Sequence, residues 1–463
     1  MADDFAGIAV DPWVNRYPEP VTVTVPAPHR APLVARRVWS TYWIGICATA
    51  LILASETKFV LKDQVSGAGS SVDIFILFEV SVYAAVGAFL ILRMRGAPRL
   101  SVTRPLDLLP LAYVGYMALT VPFAPSPVYA AIRVLEMLVL LLLIRTAVLE
   151  GASTWFVSFV KVFLLATAGL ILIGLTLPSS RGPLQLERFN WLATHPVIVG
   201  QFLALALVAS LVLAAGQRWR ATGAPSPALF LAGGVLFGVA LLANNTRGSA
   251  AAAAAGAAIG LALVLPRRVL SSAVLIAVYV SSLLILTSST VIAGWLTRGE
   301  DAARLGTLNA RLPLWQLAWS TVTESNPLFG LGVGASRSVF VDETGLGGAH
   351  NAPLNVFVDL GVVGFVVWTW MIVYATWVMF RRVGQSGADV TERALWLGTM
   401  AVLVVNGATT EGLGGVANVG IGWLFVLVAR AAQIDREQFG LPPAAIAPPH
   451  MREARRGSQD RTG

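Results

Sequence analysis

Thiol chemistry is all but absent from this 463-residue chain. Cys47 is its single cysteine, so an intramolecular disulfide and a cysteine-bound metal cluster are both excluded. Lysine is nearly as scarce: Lys58, Lys62 and Lys161 are the lysines among 33 basic residues, and arginine supplies the rest. Charged residues of both signs make up only 13% of the chain, well below what the surface of a water-soluble domain carries. No histidine or cysteine has a partner spaced for a metal site, and no Gly-x-Ser-x-Gly elbow marks a serine nucleophile. The first 38 residues lack the apolar core of a cleavable signal peptide. They are polar and proline-rich (PEPVTVTVPAPHRAPL) and read as a disordered cytoplasmic tail.

Hydrophobic residues, by contrast, make up 56% of the chain, and the mean hydropathy is +0.72. Runs such as 72–92, 155–177, 269–296 and 352–380 reach the roughly 20 apolar residues that cross a bilayer. They must be helical, because lipid cannot satisfy open backbone groups. The expected fold is therefore all-α and polytopic, with about twelve spans beginning near residues 39, 72, 106, 128, 155, 195, 228, 248, 269, 352, 394 and 414. The membrane domain covers 39–434, and 435–463 reads as a cytoplasmic C-terminal tail. The eighth span, GSAAAAAAGAAIGLALVL, would partition weakly into lipid and is expected inside the bundle, with Gly256 and Gly260 allowing close helix packing.

Arginine placement sets the expected orientation. Arg30, Arg36 and Arg37 precede the first span. Arg93, Arg95, Arg99 and Arg104, then Arg218 and Arg220, Arg267 and Arg268, and Arg381 and Arg382 follow at multiples of two spans. Both termini are then cytoplasmic. In that frame Arg181, Arg188, Arg247, Arg298, Arg304, Arg311, Arg337 and His350 all face outward, against the positive-inside pattern. The formal charge of +8 is largely absorbed by topology-setting loops and the C-terminal tail, so nucleic acid is not an expected partner.

The outer segments hold the candidate chemistry. The longest, residues 296–350, interrupts the spans with a polar insert of a size that usually does work. Arg311 and Pro313 open an expected interfacial helix to about Ser325, with Trp315, Ala318, Trp319 and Val322 on its apolar face. FGLGVGAS follows as a glycine-rich turn, weak evidence alone for a phosphate cradle. His350 and Asn351 close the insert, and a histidine there is able to take a proton from a hydroxyl. SRGPLQLERFNWLATHP supplies Arg181, Arg188 and His195, while NNTRGS puts Arg247 just ahead of a helix. Arginines so placed can grip phosphate with paired hydrogen bonds.

TRGS before a small-residue helix, NARLPLWQLAWSTVTESNPLFGLGVGAS, and HNAPLNVFVDLGVVG together resemble the O-antigen ligase and polymerase superfamily, over roughly 180–380. The resemblance implies a multi-pass protein of the bacterial inner membrane. It would move a glycan from an undecaprenyl-diphosphate carrier to an acceptor hydroxyl on a lipid or another glycan, outside the cytoplasm and without a cofactor or metal. By the same likeness Arg247, Arg311 and His350 carry the reaction, with Arg188 a looser match; Arg188, Arg181, Arg337 and Asn351 are the expected substrate contacts. Polymerisation of lipid-linked repeats is an open alternative. So is transport of a lipid-linked or anionic solute, for which Glu79, Arg133 and Glu136 would be the candidate path.

Overall fold

The computed structural model describes residues 33–56, 74–95, 104–150, 154–176, 188–192, 194–216, 226–297, 311–344, 348–381 and 387–438. Backbone contacts divide the chain into Met1–Ser40 and Thr41–Gly463, and everything below concerns the second unit. Among the described residues every regular element is helical. The helices are α1 (Leu33–Glu56), α2 (Ile74–Met94), α3 (Pro105–Thr120), α4 (Pro127–Glu150), α5 (Trp155–Thr176), α6 (Pro196–Ala215), α7 (Pro227–Asn244) and α8 (Arg247–Val264). They continue with α9 (Arg267–Thr297), α10 (Arg311–Ser325), α11 (Ala335–Thr344), α12 (Ala352–Arg381), α13 (Gly387–Gly407) and α14 (Val419–Gln438).

A helix stands at each of the twelve expected positions, and eight are long and apolar enough to cross a membrane: α2 to α8 and α12. The described apolar part of α1, Tyr42–Glu56, is short. α9 is a 31-residue helix with a non-helical break at Ser288 (φ −134°). α13 opens with Asp389, Glu392 and Arg393, and α14 ends in Arg430, Asp435, Arg436 and Glu437. α13 also begins at Gly387 rather than near 394, because that polar first turn is helical before the hydropathy rises.

α6 is largely buried and packs on α7, α8 and α13. The alanine-rich α8 packs most heavily against α13. A Cβ on Gly256 would fall 2.6 Å from the Gly398 carbonyl oxygen, and one on Gly398 would fall 2.9 Å from that of Gly256. The small residues therefore bring two backbones together, as expected. α8 is not enclosed by the bundle, however. Ser249, Ala252, Ala253, Gly256 and Gly260 form one buried stripe, while Ala251, Ala254, Ala258 and Ile259 face outward.

Two groups of buried charges are paired. Arg133 reaches Glu79 at 2.7 Å and Glu136 at 2.8 Å, bridging α2 and α4, and its guanidinium lies 5.0 Å from the Tyr129 ring. Such a triad loses several kcal/mol if one member is removed, which accounts for its residues as structure. Arg430 on α14 similarly binds Glu392 on α13 and Gln433, which takes the Trp155 indole hydrogen bond.

Gly256→Leu should overpack the α8–α13 seam at a cost of about 1–3 kcal/mol and lower the melting temperature of the detergent-purified protein. Gly169→Leu, where nothing lies within 4 Å of an added Cβ, should melt like the parent. Equal melting of both variants would refute the seam.

Candidate functional site

Four helices open around one spot, and each brings a basic side chain to its first turn or the residue just before it. His195 is the N-cap of α6, Arg247 is the first residue of α8, Arg311 the first of α10, and His350 precedes Asn351 at the start of α12. The electrostatic couplings link them in a chain: Arg188 and His350 act on His195, Arg311 on His350, and Arg247 on Arg311. Helix N-termini are already positive, so cations stacked on them cost stability unless an anion arrives.

The Arg247 turn is braced from the preceding segment. Arg188 Nε donates to the Asn244 carbonyl at 3.0 Å, and its Nη2 donates to Thr246 Oγ1 at 2.6 Å. Asn244 Nδ2 donates to the Phe189 carbonyl at 2.7 Å, closing the bracket in the other direction. Asn245 then turns the chain in the left-handed region (φ 50°, ψ 41°), which asparagine tolerates better than most residues. Below this turn Ser249 Oγ donates to Asn406 Oδ1 on α13 at 3.1 Å. Gly200 admits the turn against α6, since a Cβ there would fall 2.8 Å from Ser249 Oγ.

The insert is held by its aromatic residues and by the glycines. Leu314, Ala318 and Val322 are the buried face of α10. Trp319, expected on that face, is exposed, although its ring leans on Phe357 at 5.4 Å. Trp315 Nε1 donates to the Ala349 carbonyl at 3.0 Å. This bond fixes Arg311, one turn earlier on α10, beside His350. The glycine-rich turn does something other than cradle phosphate. α12 breaks at Gly361 (φ 61°, ψ −164°), and the turn is laid into the break. Leu331 N and Gly332 N donate to the Val358 and Asp359 carbonyls, both at 2.9 Å. Val362 N and Val363 N donate to the Pro327 and Leu328 carbonyls at 2.9 and 3.2 Å. Gly330, Gly332 and Gly334 all have positive φ, which the reversal of direction requires. Buried Asp359 then accepts from Ser336 N at 2.7 Å, capping α11.

His350 itself has φ 50°, an uncommon conformation that its neighbours enforce. Asn355 Oδ1 accepts from Ala349 N at 3.0 Å. Asn351 Oδ1 accepts from Leu354 N at 3.0 Å, and its Nδ2 donates to the Ala408 carbonyl at 3.1 Å. Both ends of the Asn351 amide thus serve the scaffold around His350. Glu411, from the α13–α14 connection, faces the ring: its Oε1 lies 3.6 Å from His350 Nδ1, with side chains 37% and 32% exposed. Both groups are therefore reachable. Gly348 makes room, as a Cβ there would collide with the Glu411 carboxylate.

Burial, then the charge on Arg311, lowers the His350 pKa below its ordinary 6.5. Burial, then Arg188 and His350, pushes His195 down to about 4 even though the residue keeps an exposed edge. Burial and Arg247 likewise weaken the hold of Arg311 on its proton. Both imidazoles are neutral at neutral pH while the guanidiniums stay charged.

Of the residues singled out from sequence, Arg188, Arg247, Arg311 and His350 come together, and Asn351 adjoins them. Arg337 is exposed on α11 and makes no side-chain hydrogen bond or ion pair among the described residues. Arg181 lies outside the described residues. Glu411 was not foreseen, and His195, noted in its outer segment, was not among the expected site residues.

Residues 232–369 match the family model described as O-antigen ligase, and so support the resemblance to the O-antigen ligase superfamily. The match contains Arg247, Arg311, Arg337, His350 and Asn351 and suggests ligase- or polymerase-like activity in a multi-pass membrane protein. Comparison with curated proteins found no match.

Arg188→Lys keeps the charge but cannot make both bonds to the α7–α8 turn. Amide exchange across 244–249 should quicken on the order of tenfold or more. Unchanged exchange would show that the bracket does not hold the turn.

Proposed function

We propose that the protein transfers a glycan from an undecaprenyl-diphosphate carrier to an acceptor hydroxyl, on the extracytoplasmic side of the bacterial inner membrane. The observation that carries this reading is the chain that runs from Arg247 through Arg311 to His350, and from Arg188 to His195, at the ends of apolar helices. A lipid-linked diphosphate presents its charge at that depth and its sugar beyond it.

Arg247 and Arg311 bind the diphosphate, and Arg188 contributes while holding the Arg247 turn. Guanidiniums fixed in place and shielded from bulk water stabilise charge as it develops on a leaving group. The acceptor oxygen attacks the anomeric carbon, and the bond from that carbon to the diphosphate oxygen breaks. The electron pair leaves on the diphosphate, and the hydroxyl proton passes to His350 Nε2. Glu411 beside Nδ1 favours the tautomer that leaves Nε2 unprotonated, and it balances the imidazolium once the proton arrives. A single direct displacement inverts the anomeric centre. Because the arginines supply the charge, the step needs no divalent ion, and EDTA should leave the rate intact. The acceptor is a lipid in a ligase and another lipid-linked repeat in a polymerase, and the same site serves either.

In purified protein given lipid-linked glycan, Arg247→Ala and Arg311→Ala should weaken donor binding and slow transfer, with lysine restoring part of it. His350→Ala should spare binding and cut turnover on the order of 100-fold or more. Normal turnover in all three would remove the site.

The base works as the neutral imidazole, and its pKa is depressed. Turnover should therefore hold as pH falls from 8 to 6.5 and drop only below that, as the ring takes a proton. An acid limb centred above 6.5 would contradict the assignment. Orientation is checked in intact cells by placing Arg337→Cys in a Cys47→Ala background. An impermeant thiol reagent should label it, and labelling only after lysis would reverse the topology.

A further inference from the structure

The site contains two imidazoles, and their surroundings give them opposite hydrogen-bonding character. His350 Nδ1 meets a carboxylate, Glu411 Oε1 at 3.6 Å. His195 Nδ1 meets a donor instead: it accepts the backbone N–H of Val197 at 3.3 Å, as N-cap of α6. An imidazole nitrogen that accepts carries no proton, so neutral His195 must hold its proton on Nε2. That nitrogen is on the far side of the ring from the helix end, and among the described residues it makes no hydrogen bond. The residue is exposed, and Arg188, then His350, act electrostatically on its ring.

We propose that His195 is a substrate-contacting residue whose Nε2–H donates a hydrogen bond to an oxygen of the lipid-linked diphosphate, without transferring its proton. The assignment rests on the diphosphate reading above and adds a fourth contact to it. Its oxygen partner is anionic rather than a sugar hydroxyl for an electrostatic reason. Arg188 lies beside His195, with Arg247 and Arg311 further along the same coupled chain. Such a field draws in phosphate and is nearly indifferent to a neutral hydroxyl. Burial first, and then Arg188 beside it, keep His195 neutral. It is therefore a fixed donor at every pH where the enzyme works, and not a second base competing with His350. The acceptor hydroxyl is left to His350 Nε2, on the side of that ring away from Glu411.

Two substitutions separate the N-cap from the donor. His195→Asn keeps a strong N-cap but is too short to present a group where Nε2 stands. His195→Gln places an amide N–H near the Nε2 position and gives up the better cap. Detergent-purified protein is titrated with undecaprenyl diphosphate, with thermal stabilisation as the readout, and assayed for transfer. His195→Asn should melt like the parent without ligand, yet bind the lipid diphosphate on the order of tenfold more weakly and turn over about 100-fold more slowly. His195→Gln should recover most of the binding despite a lower melting temperature. The acid limb of the remaining activity should stay where His350 sets it. Parent-like binding by His195→Asn, or Gln no better than Asn, would overturn the proposal while leaving the arginine site standing. Failure of the parent itself to bind undecaprenyl diphosphate would overturn the diphosphate reading, and this contact with it.

Discussion

Positive charge placed where a helix is already positive governs the arrangement of this protein. A cation in the first turn of a helix is disfavoured by about 0.3–1 kcal/mol at an exposed position, and α8 and α10 each begin with one. Their mutual repulsion, felt through Arg311 by His350 and by His195 in turn, adds to that cost. Nothing in the folding of the bundle calls for it. A dianionic group entering the cluster would reverse the sign of each of these terms, so the same features that cost the fold stability would favour the diphosphate of the proposed reaction.

Holding such a cluster together requires backbone that resists being pushed apart. The fold supplies this from the least regular parts of the chain. The Arg188 bracket clamps the α7–α8 turn, and the Trp315 bond pins α10 to the carbonyl next to His350. The break in α12 is filled by the backbone of 327–332. In hydrocarbon a broken helix is tolerated only where other groups take up its freed amides and carbonyls. Here four such bonds do so, and they tie the insert carrying Arg311 to the helix that His350 precedes. The glycines of FGLGVG are thus structural, and their effect on chemistry is exerted through position.

Much of this was legible in the sequence because hydropathy and helix starts are local signals. The twelve helix positions follow from runs of apolar residues. Arg247, Arg311 and His350 stood out because each breaks the charge pattern beside an expected helix start. What was missed is tertiary. Glu411 lies 61 positions from His350, and only the approach of α13 to the start of α12 makes them neighbours. VFVDLGVVGF reads as one unbroken span, because Gly361 signals a break only when another segment is present to fill it. The single buried stripe of α8 was also hidden, since an almost uniform alanine helix has no amphipathic period to read. Trp319 fits the apolar face of α10 by spacing, yet the buried angle of that helix is set by Leu314, Ala318 and Val322, one position around.

The two histidines show how little of a residue's chemistry its identity fixes. Both are neutral for the same reason, burial among arginines, and they differ in what Nδ1 meets. A carboxylate beside one favours a bare Nε2 that can receive a proton, while a backbone amide at the other leaves Nε2 protonated and able only to donate. This division works only if the surrounding cations never titrate in the working range. Lysines in the same crowded, partly buried positions would have their own pKa values driven down by burial and by one another, and their charge would become pH-dependent with that of the histidines. Arginine removes that coupling. The cations remain a constant field, and in the proposed reaction the proton passes among the hydroxyl, His350 and Glu411 alone.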